Sequence, residues 1–183
     1  YGQSDESIVD EKSKTEPPAK TSKLLLEAER IALGANGSVA RLSGIYGPGR
    51  SYLLKRYLEG NSQIDGFSPD SSGRWINQIH RDDAAQAIAH IIEKKLINEV
   101  FNVNDDQPLL QRYCYEEFDR RFKKGIPDVK EPEKGKVRGW SNKRVSNLKI
   151  KKTGWHPKYS NYFDALDNDL RILPSITGNV LKN

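Results

Sequence analysis

The chain has 183 residues, 36% apolar and 30% charged, with a formal net charge of +5. That length suffices for one domain with a sizeable core, although the composition is polar for it. No apolar run is long enough to cross a bilayer and no basic-then-apolar signal pattern opens the chain, so the sequence reads as a soluble, cytoplasmic protein without a membrane partner.

Gly2 to Pro18 is polar, with acids at Asp5, Glu6, Asp10 and Glu11, and reads as a surface loop. Leu24, Leu25, Ala28 and Ile31 then recur at helical spacing, which predicts a helix from about Ala19 to Leu33, stopped by Gly34. SVARLS, Ser38 to Ser43, is a β-rich run between glycines and predicts a strand; the Gly-Pro-Gly loop of RLSGIYGPGR follows it. Tyr52 to Leu58 reads as a short helix, Gly60 to Gly73 as a loop and Trp75 to His80 as a strand. Asp82 or Asp83 is the expected cap of a helix with the apolar stripe Ala84, Ala87, Ile88, Ile91 and Ile92. Glu99 to Val103 is a third short strand, followed by turn residues Asp105 to Pro108. A helix from Leu109 to Phe122 is expected to turn Tyr113, Phe118 and Phe122 inward.

Lys123 to Asn142 is poor in apolar residues and broken by proline and glycine, so a mobile loop is expected. Lys143 to Val145 reads as a short strand, Ser146 as a cap and Asn147 to Lys152 as a short helix. Tyr159 to Leu170 reads as the last amphipathic helix, before a tail that frays after Pro174. Helices alternating with short strands predict an α/β fold with a partial Rossmann-like parallel sheet flanked by helices and a small C-terminal α/β region. Three visible strands are few for such a sheet, and the chain begins at Tyr1 with no methionine anywhere. We therefore expect a processed chain or a fragment, with part of the sheet upstream.

Cys114 is the only cysteine, which excludes an intrachain disulfide and a cysteine metal cluster. His80, His90 and His156 show no paired ligand spacing, so no metal is expected. Between Arg120 and Lys152, 13 Lys or Arg stand against Asp128, Glu131 and Glu133, a local +10 that leaves −5 for the remainder. Such a tract either attracts phosphate, in a nucleotide or in nucleic acid, or forms a solvated basic face.

Seven segments, in order, carry a resemblance: YG at Tyr1-Gly2, TSKLLLEAE at Thr21 to Glu29, RLSGIYGPGR at Arg41 to Arg50, INQIHRDDAAQAI at Ile76 to Ile88, VFNVNDDQP at Val100 to Pro108, NKRVSNLKI at Asn142 to Ile150 and GWHPKY at Gly154 to Tyr159. Together they resemble the extended short-chain dehydrogenase/reductase family of NAD-dependent epimerases and dehydratases, and more narrowly its atypical, YeeZ-like branch. The resemblance implies that residues 1–108 are the C-terminal half of a Rossmann-like NAD(P)-binding domain, 109–173 a small substrate-side region and 174–183 a tail. It implies NAD or NADP as cofactor, a small, phosphorylated or nucleotide-linked substrate, and a possible homodimer. It also places the family's glycine-rich dinucleotide loop before Tyr1, and no G-x-x-G-x-x-G pattern occurs in the chain.

In the family a tyrosine lies four residues before the lysine of the long helix; the tyrosine exchanges a proton and the lysine lowers its pKa and holds the nicotinamide ribose. Lys23 and Glu27 match the lysine and its downstream acid, but the tyrosine position is Ala19, which has no proton to exchange. By the same resemblance Tyr1, Lys23 and the loop Ile45-Tyr46-Gly47-Pro48 are cofactor-side, and Arg50, His80, Lys143 and Arg144 are substrate-side. Each has a plainer alternative: a solvated lysine at Lys23, a core aromatic at Tyr46, a solvated Arg50, a surface role for Lys143 and Arg144. Asp83, beside His80, reads as a structural cap. The alternative function is a non-catalytic protein of this fold that binds RNA or another polyanion.

Overall fold

A computed structural model describes residues 1–16, 20–132 and 141–180. In chain order the elements are Ile8–Val9 (β1), Lys20–Gly34 (α1), Val39–Leu42 (β2), Gly44–Tyr46 (β3), Tyr52–Leu58 (α2) and Ile64–Asp65 (β4). Trp75–Ile76 (β5), Gln78–His80 (β6), Arg81–Glu93 (α3), Val100–Val103 (β7), Leu109–Leu110 (β8) and Gln111–Phe122 (α4) follow. The chain continues with Val129–Lys130 (β9), Arg144–Val145 (β10), Leu148–Lys151 (α5), Tyr162–Asn168 (α6) and Ile172–Val180 (α7). The architecture is α/β, built from short, mainly parallel strand pairs flanked by helices, as the alternation of patterns predicts.

The run 39–46 changes partner at Ser43. Up to Leu42 it pairs in parallel with β7, Val39 opposite Val100; from Gly44 it pairs in parallel with β6, Tyr46 opposite His80. Ser43 N still donates to Val103 O at 3.1 Å, and Gly44 N already donates to Asn77 O at 3.1 Å. Behind this sheet, Ile79, Phe101 and Val103 pack on Ala84, Ala87 and Ile91 of α3 and on Ile150 and Trp155, so the helical period of α3 and the strand residues bury one shared face. A second, more aromatic core joins α2, α4, α6 and α7 around Phe118 and Tyr162.

Several elements differ from the sequence reading. The N-terminal loop contains β1, which pairs in parallel with β10 across most of the chain length. The expected strand Trp75 to His80 breaks at Asn77, whose amide donates to Lys143 O at 2.8 Å while its oxygen accepts from Val145 N at 2.7 Å. A side chain thus imitates a neighbouring strand, and β5 instead pairs antiparallel with β8. His80, not Asp82 or Asp83, caps α3: its Nδ1 accepts from Asp82 N at 3.3 Å. Asp83 is fully buried and accepts from Tyr159 N at 3.2 Å, tying α3 to the chain before α6. Ile88 and Ile92 are exposed, as is Tyr113, whereas Cys114 and Tyr115 are buried in their stead.

The last helix expected over Tyr159 to Leu170 starts only at α6, where Asn161 Oδ1 accepts from Phe163 N and Asp164 N. The tail beyond Pro174 is α7, held because Ile172 and Ile176 lie in the aromatic core. Pro174 is compatible with this position because first-turn amides have no intrahelical acceptor. Within the loop expected over Lys123 to Asn142, β9 pairs in parallel with β4; residues 133–140 lie outside the described residues, as does the Ala19 position.

Candidate functional site

A groove of about 1100 Å³ opens between helices and strands of the described structure. Its lining comes from α1, β2, β3, β4, β5 and the segment 141–145, with Tyr52, Leu53 and Arg56 of α2 contributing. The lining carries four cations, Arg41, Arg56, Arg74 and Lys143, against two acids, Glu29 and Asp65. Arg41 clasps Glu29 with both guanidinium arms, at 2.9 and 2.6 Å, and Arg74 Nε donates to Asp65 Oδ2 at 3.1 Å. Lys143 has no acid partner among the described residues; its Nζ donates to Ser141 Oγ at 2.6 Å. Burial, and then the charge of Arg74, hold its ammonium below the usual lysine value.

Asparagines in and beside otherwise apolar strands position the Lys143 segment. Asn77 grips the backbone on both sides of Arg144, as described above. Asn102 Nδ2 donates to Ser146 O at 3.2 Å, Asn104 Nδ2 to Val145 O at 2.9 Å, and Asn147 Nδ2 returns to Asn104 O at 2.8 Å. Each bond satisfies a backbone group in or beside a short strand. Gln111 Oε1 accepts from Asp65 N at 2.9 Å and its Nε2 donates to Gln63 O at 3.1 Å, fixing β4.

Of the residues singled out by resemblance, Tyr1, Ile45 and Lys143 line the groove. Tyr1 Oη donates to Asn102 Oδ1 at 2.9 Å, and the Arg41 guanidinium lies 4.8 Å from its ring centre. Lys23 is exposed and does not line the groove, and Glu27 pairs with Arg30 at 2.6 Å instead. Arg144 does not line it either; its guanidinium lies 5.1 Å from the Trp75 ring centre and its Nε donates to Glu6 O at 3.3 Å.

The Gly47 to Arg50 turn is closed by reciprocal backbone bonds of 2.8 and 2.9 Å. Pro48 before Gly49, whose φ is +75°, is the residue pair a type II turn requires. A Cβ on Gly47 would meet Arg81 Cγ at 3.0 Å and His80 Nε2 at 3.2 Å, so only glycine fits. The turn is bolted to helices: Gly49 N donates to Ser175 Oγ at 2.7 Å, and Arg81 Nη1 donates to Pro48 O at 3.0 Å. Arg50 folds back, its Nε donating to Ile45 O at 3.1 Å.

Tyr46 and His80 belong to a sealed polar nest beneath that turn. The Tyr46 hydroxyl donates to Asp105 Oδ2 at 3.0 Å, and burial raises Asp105 to about 8. Burial and the neighbouring Asp105 also push the Tyr46 hydroxyl far above its ordinary value. His80 is fully buried between the Tyr46 and Tyr159 rings. Since its Nδ1 accepts from Asp82 N, the ring proton sits on Nε2, 3.3 Å from Asp169 Oδ2. His80, Asp82 and Asp169 come close enough to suggest a cation site, but Arg171 bonds both carboxylates, at 2.8 and 2.7 Å, and holds Asp169 at about 2. The cluster is thus organised around a guanidinium.

Arg74, Asp65, Gln63, Gln111 and Asn77 escaped the sequence reading. Their signal was weak but present: an arginine directly before an apolar strand in RWI, and amides inside INQIH and FNVN. The basic tract is also less bare than its composition suggests. Arg120 and Arg121 pair with Glu117, Arg121 also with Asp167 at 2.9 Å, Lys149 with Glu99 at 2.6 Å and Lys151 with Asp106 at 2.9 Å.

No protein-family model matches the chain, and no curated protein matches it by sequence. Solved structures do. A functionally unknown conserved protein from Silicibacter pomeroyi is 28% identical with a TM-score of 0.76, over 92% of this chain and 63% of its own. A structure from Methylobacillus flagellatus named for an NAD-dependent epimerase/dehydratase is 25% identical with a TM-score of 0.72, over 97% and 61%. A dTDP-glucose 4,6-dehydratase from Bacillus anthracis in complex with NAD shares the fold at 20% identity and a TM-score of 0.70, over 98% and 57%. The chain therefore spans about three fifths of the length of these proteins. No helix among the described residues is long and apolar enough to cross a membrane. The strand pairs and these neighbours agree on the fold: the chain is similar in structure to proteins named for NAD-dependent epimerases and dehydratases.

Proposed function

We propose that this chain is the substrate-side portion of an atypical short-chain dehydrogenase/reductase, and that its groove holds a small, phosphorylated or nucleotide-linked ligand. The observation that carries this reading is the excess of cations over acids along the groove wall, with Lys143 buried and without an acid partner among the described residues. A phosphate or diphosphate would supply that missing negative charge. The amide of Gln63 suits a polyhydroxylated group, and Trp75 and Tyr52 offer flat apolar surface to a base or sugar. Neighbours of the same fold whose structures hold UDP-glucose or UDP-glucuronic acid with NAD support the substrate class. The domain reading of 1–108 as a Rossmann-like half and 109–173 as substrate-side agrees with the groove lying against both.

NAD or NADP fits this chain only in part. Ile45 lines the groove at the loop that the resemblance makes cofactor-side, but Lys23 points elsewhere and the sequence holds no glycine-rich loop for a pyrophosphate. No catalytic step is assigned to these residues, and on this reading the chain by itself binds dinucleotide weakly and does not turn over. Calorimetric titration with UDP-glucose, UMP, NAD and NADP tests both statements. We expect salt-sensitive binding of UDP-glucose and UMP that weakens in Arg74→Gln, and little heat with either dinucleotide. No heat with any nucleotide would overturn the reading.

A further inference from the structure

Lys143 combines properties that a solvated lysine does not have. Its side chain is 8% exposed, yet it lines the groove. Its backbone is clamped: Asn77 donates to Lys143 O at 2.8 Å, Arg144 N donates to Ser7 O at 2.9 Å, and Val145 N donates to Asn77 Oδ1 at 2.7 Å. Both acids of the groove are engaged elsewhere, Glu29 by Arg41 and Asp65 by Arg74, and among the described residues the one polar partner of its amine is the Ser141 hydroxyl. A lysine taken out of water and set beside a second cation favours its neutral amine, and a neutral amine is a nucleophile.

We propose that Lys143 is a carbonyl-reactive amine, which forms an imine with the aldehyde or ketone carbon of an anionic small molecule held in the groove. The proposal rests on the groove being a ligand site. The Nζ lone pair forms the C–N bond as the C=O π pair moves to oxygen. One proton passes from nitrogen to that oxygen, giving a carbinolamine. A second proton leaves nitrogen as the hydroxyl departs as water, so amine plus carbonyl gives imine plus water with no oxidant or reductant. Ser141 Oγ, at 2.6 Å from Nζ, is the group placed to accept and return these protons. Arg74 is the group placed to hold the anionic part of the ligand, since it lines the same groove.

Pyridoxal 5′-phosphate, an aldehyde bearing a phosphate, is the probe, with borohydride reduction to fix the adduct and peptide mapping by mass to locate it. We expect the Lys143 peptide to be labelled about tenfold faster than those of the exposed lysines Lys23, Lys94 and Lys152. Added UMP, an anion without an aldehyde or ketone, should slow Lys143 alone. Lys143→Arg should lose this label. The comparison among lysines within the wild-type chain needs no variant, so a poorly folding substitution leaves it intact. Labelling of Lys143 no faster than of the exposed lysines, with UMP still bound, would make Lys143 a fixed ammonium and overturn the proposal while sparing the groove. Loss of both UMP binding and selective labelling would overturn the two together.

Discussion

Helices α1 and α4 both carry apolar residues at helical spacing, yet α4 buries Gln111, Cys114, Tyr115 and Phe118 while α1 buries none of its 15 residues. The face of α4 meets the rings of Tyr57, Tyr162 and Phe163 through Phe118. On α1, Leu24, Leu25 and Ile31 are exposed, and Leu25, Leu26, Ala28 and Glu29 are the part that borders the groove. An amphipathic period specifies that a face is apolar; it does not say what covers it. The stability of the described structure accordingly resides on the α4 side, and the following experiments ask how sharply.

The largest effect is expected at Phe118, which is fully buried and touches five other rings. Phe118→Ala removes the centre of that cluster and leaves a cavity the surrounding rings cannot fill, a loss of ~3–5 kcal/mol. Urea denaturation with an unchanged slope should show it as a shifted midpoint. A loss below about 1 kcal/mol would mean that the aromatic core repacks freely, and the contrast with α1 would collapse.

Next comes the buried nest. Burial raises Asp105 from an ordinary 3.8 to about 8 in the folded chain. The folded state therefore keeps a proton that the unfolded chain gives up above about pH 4. The contribution to stability is complete below that value and is lost progressively as pH rises to about 8. Asp105→Asn retains an acceptor for the Tyr46 hydroxyl and removes the titration. Its stability relative to wild type should climb from pH 4 to 8 and then level off. Parallel pH profiles for the two proteins would show that Asp105 is not the titrating group.

Asn77→Ala should have a smaller effect, ~1–3 kcal/mol, because it strands Lys143 O and Val145 N without their partner. It should also weaken UMP binding more than Asn98→Ala, which removes an exposed contact to Asn36. Equal binding in the two variants would disconnect the asparagine clamp from the groove.

These residues also mark how far the sequence could be read. The strands β2, β6 and β7 and the helices α2, α3 and α4 were legible because local periodicity and glycine punctuation act within a few residues. The resemblance located Tyr1, Ile45 and Lys143, which line the groove, and also Lys23 and Arg144, which do not. What escaped was long-range: β1 finds β10 across 136 residues of sequence, Asn77 replaces a strand edge, and α7 is held beyond Pro174 by Ile172 and Ile176 reaching a distant core. Composition gave the +10 tract correctly, but only the fold brings Glu117, Asp167, Glu99 and Asp106 against its cations.

The smallest effect is expected on α1, and it tests the comparison most directly. Leu24 is 69% exposed, so Leu24→Ser withdraws almost no buried surface, and its cost is confined to helix propensity and should stay within about 0.5 kcal/mol. The same leucine on a covered face would cost ~2 kcal/mol or more. Denaturation of Leu24→Ser at two protein concentrations separates these cases. A small, concentration-independent change leaves α1 a bare face, in contrast to α4. A large change that grows with concentration would mean that a second copy covers Leu24, Leu25 and Ile31, and sedimentation would then find wild-type dimer that the serine variant lacks.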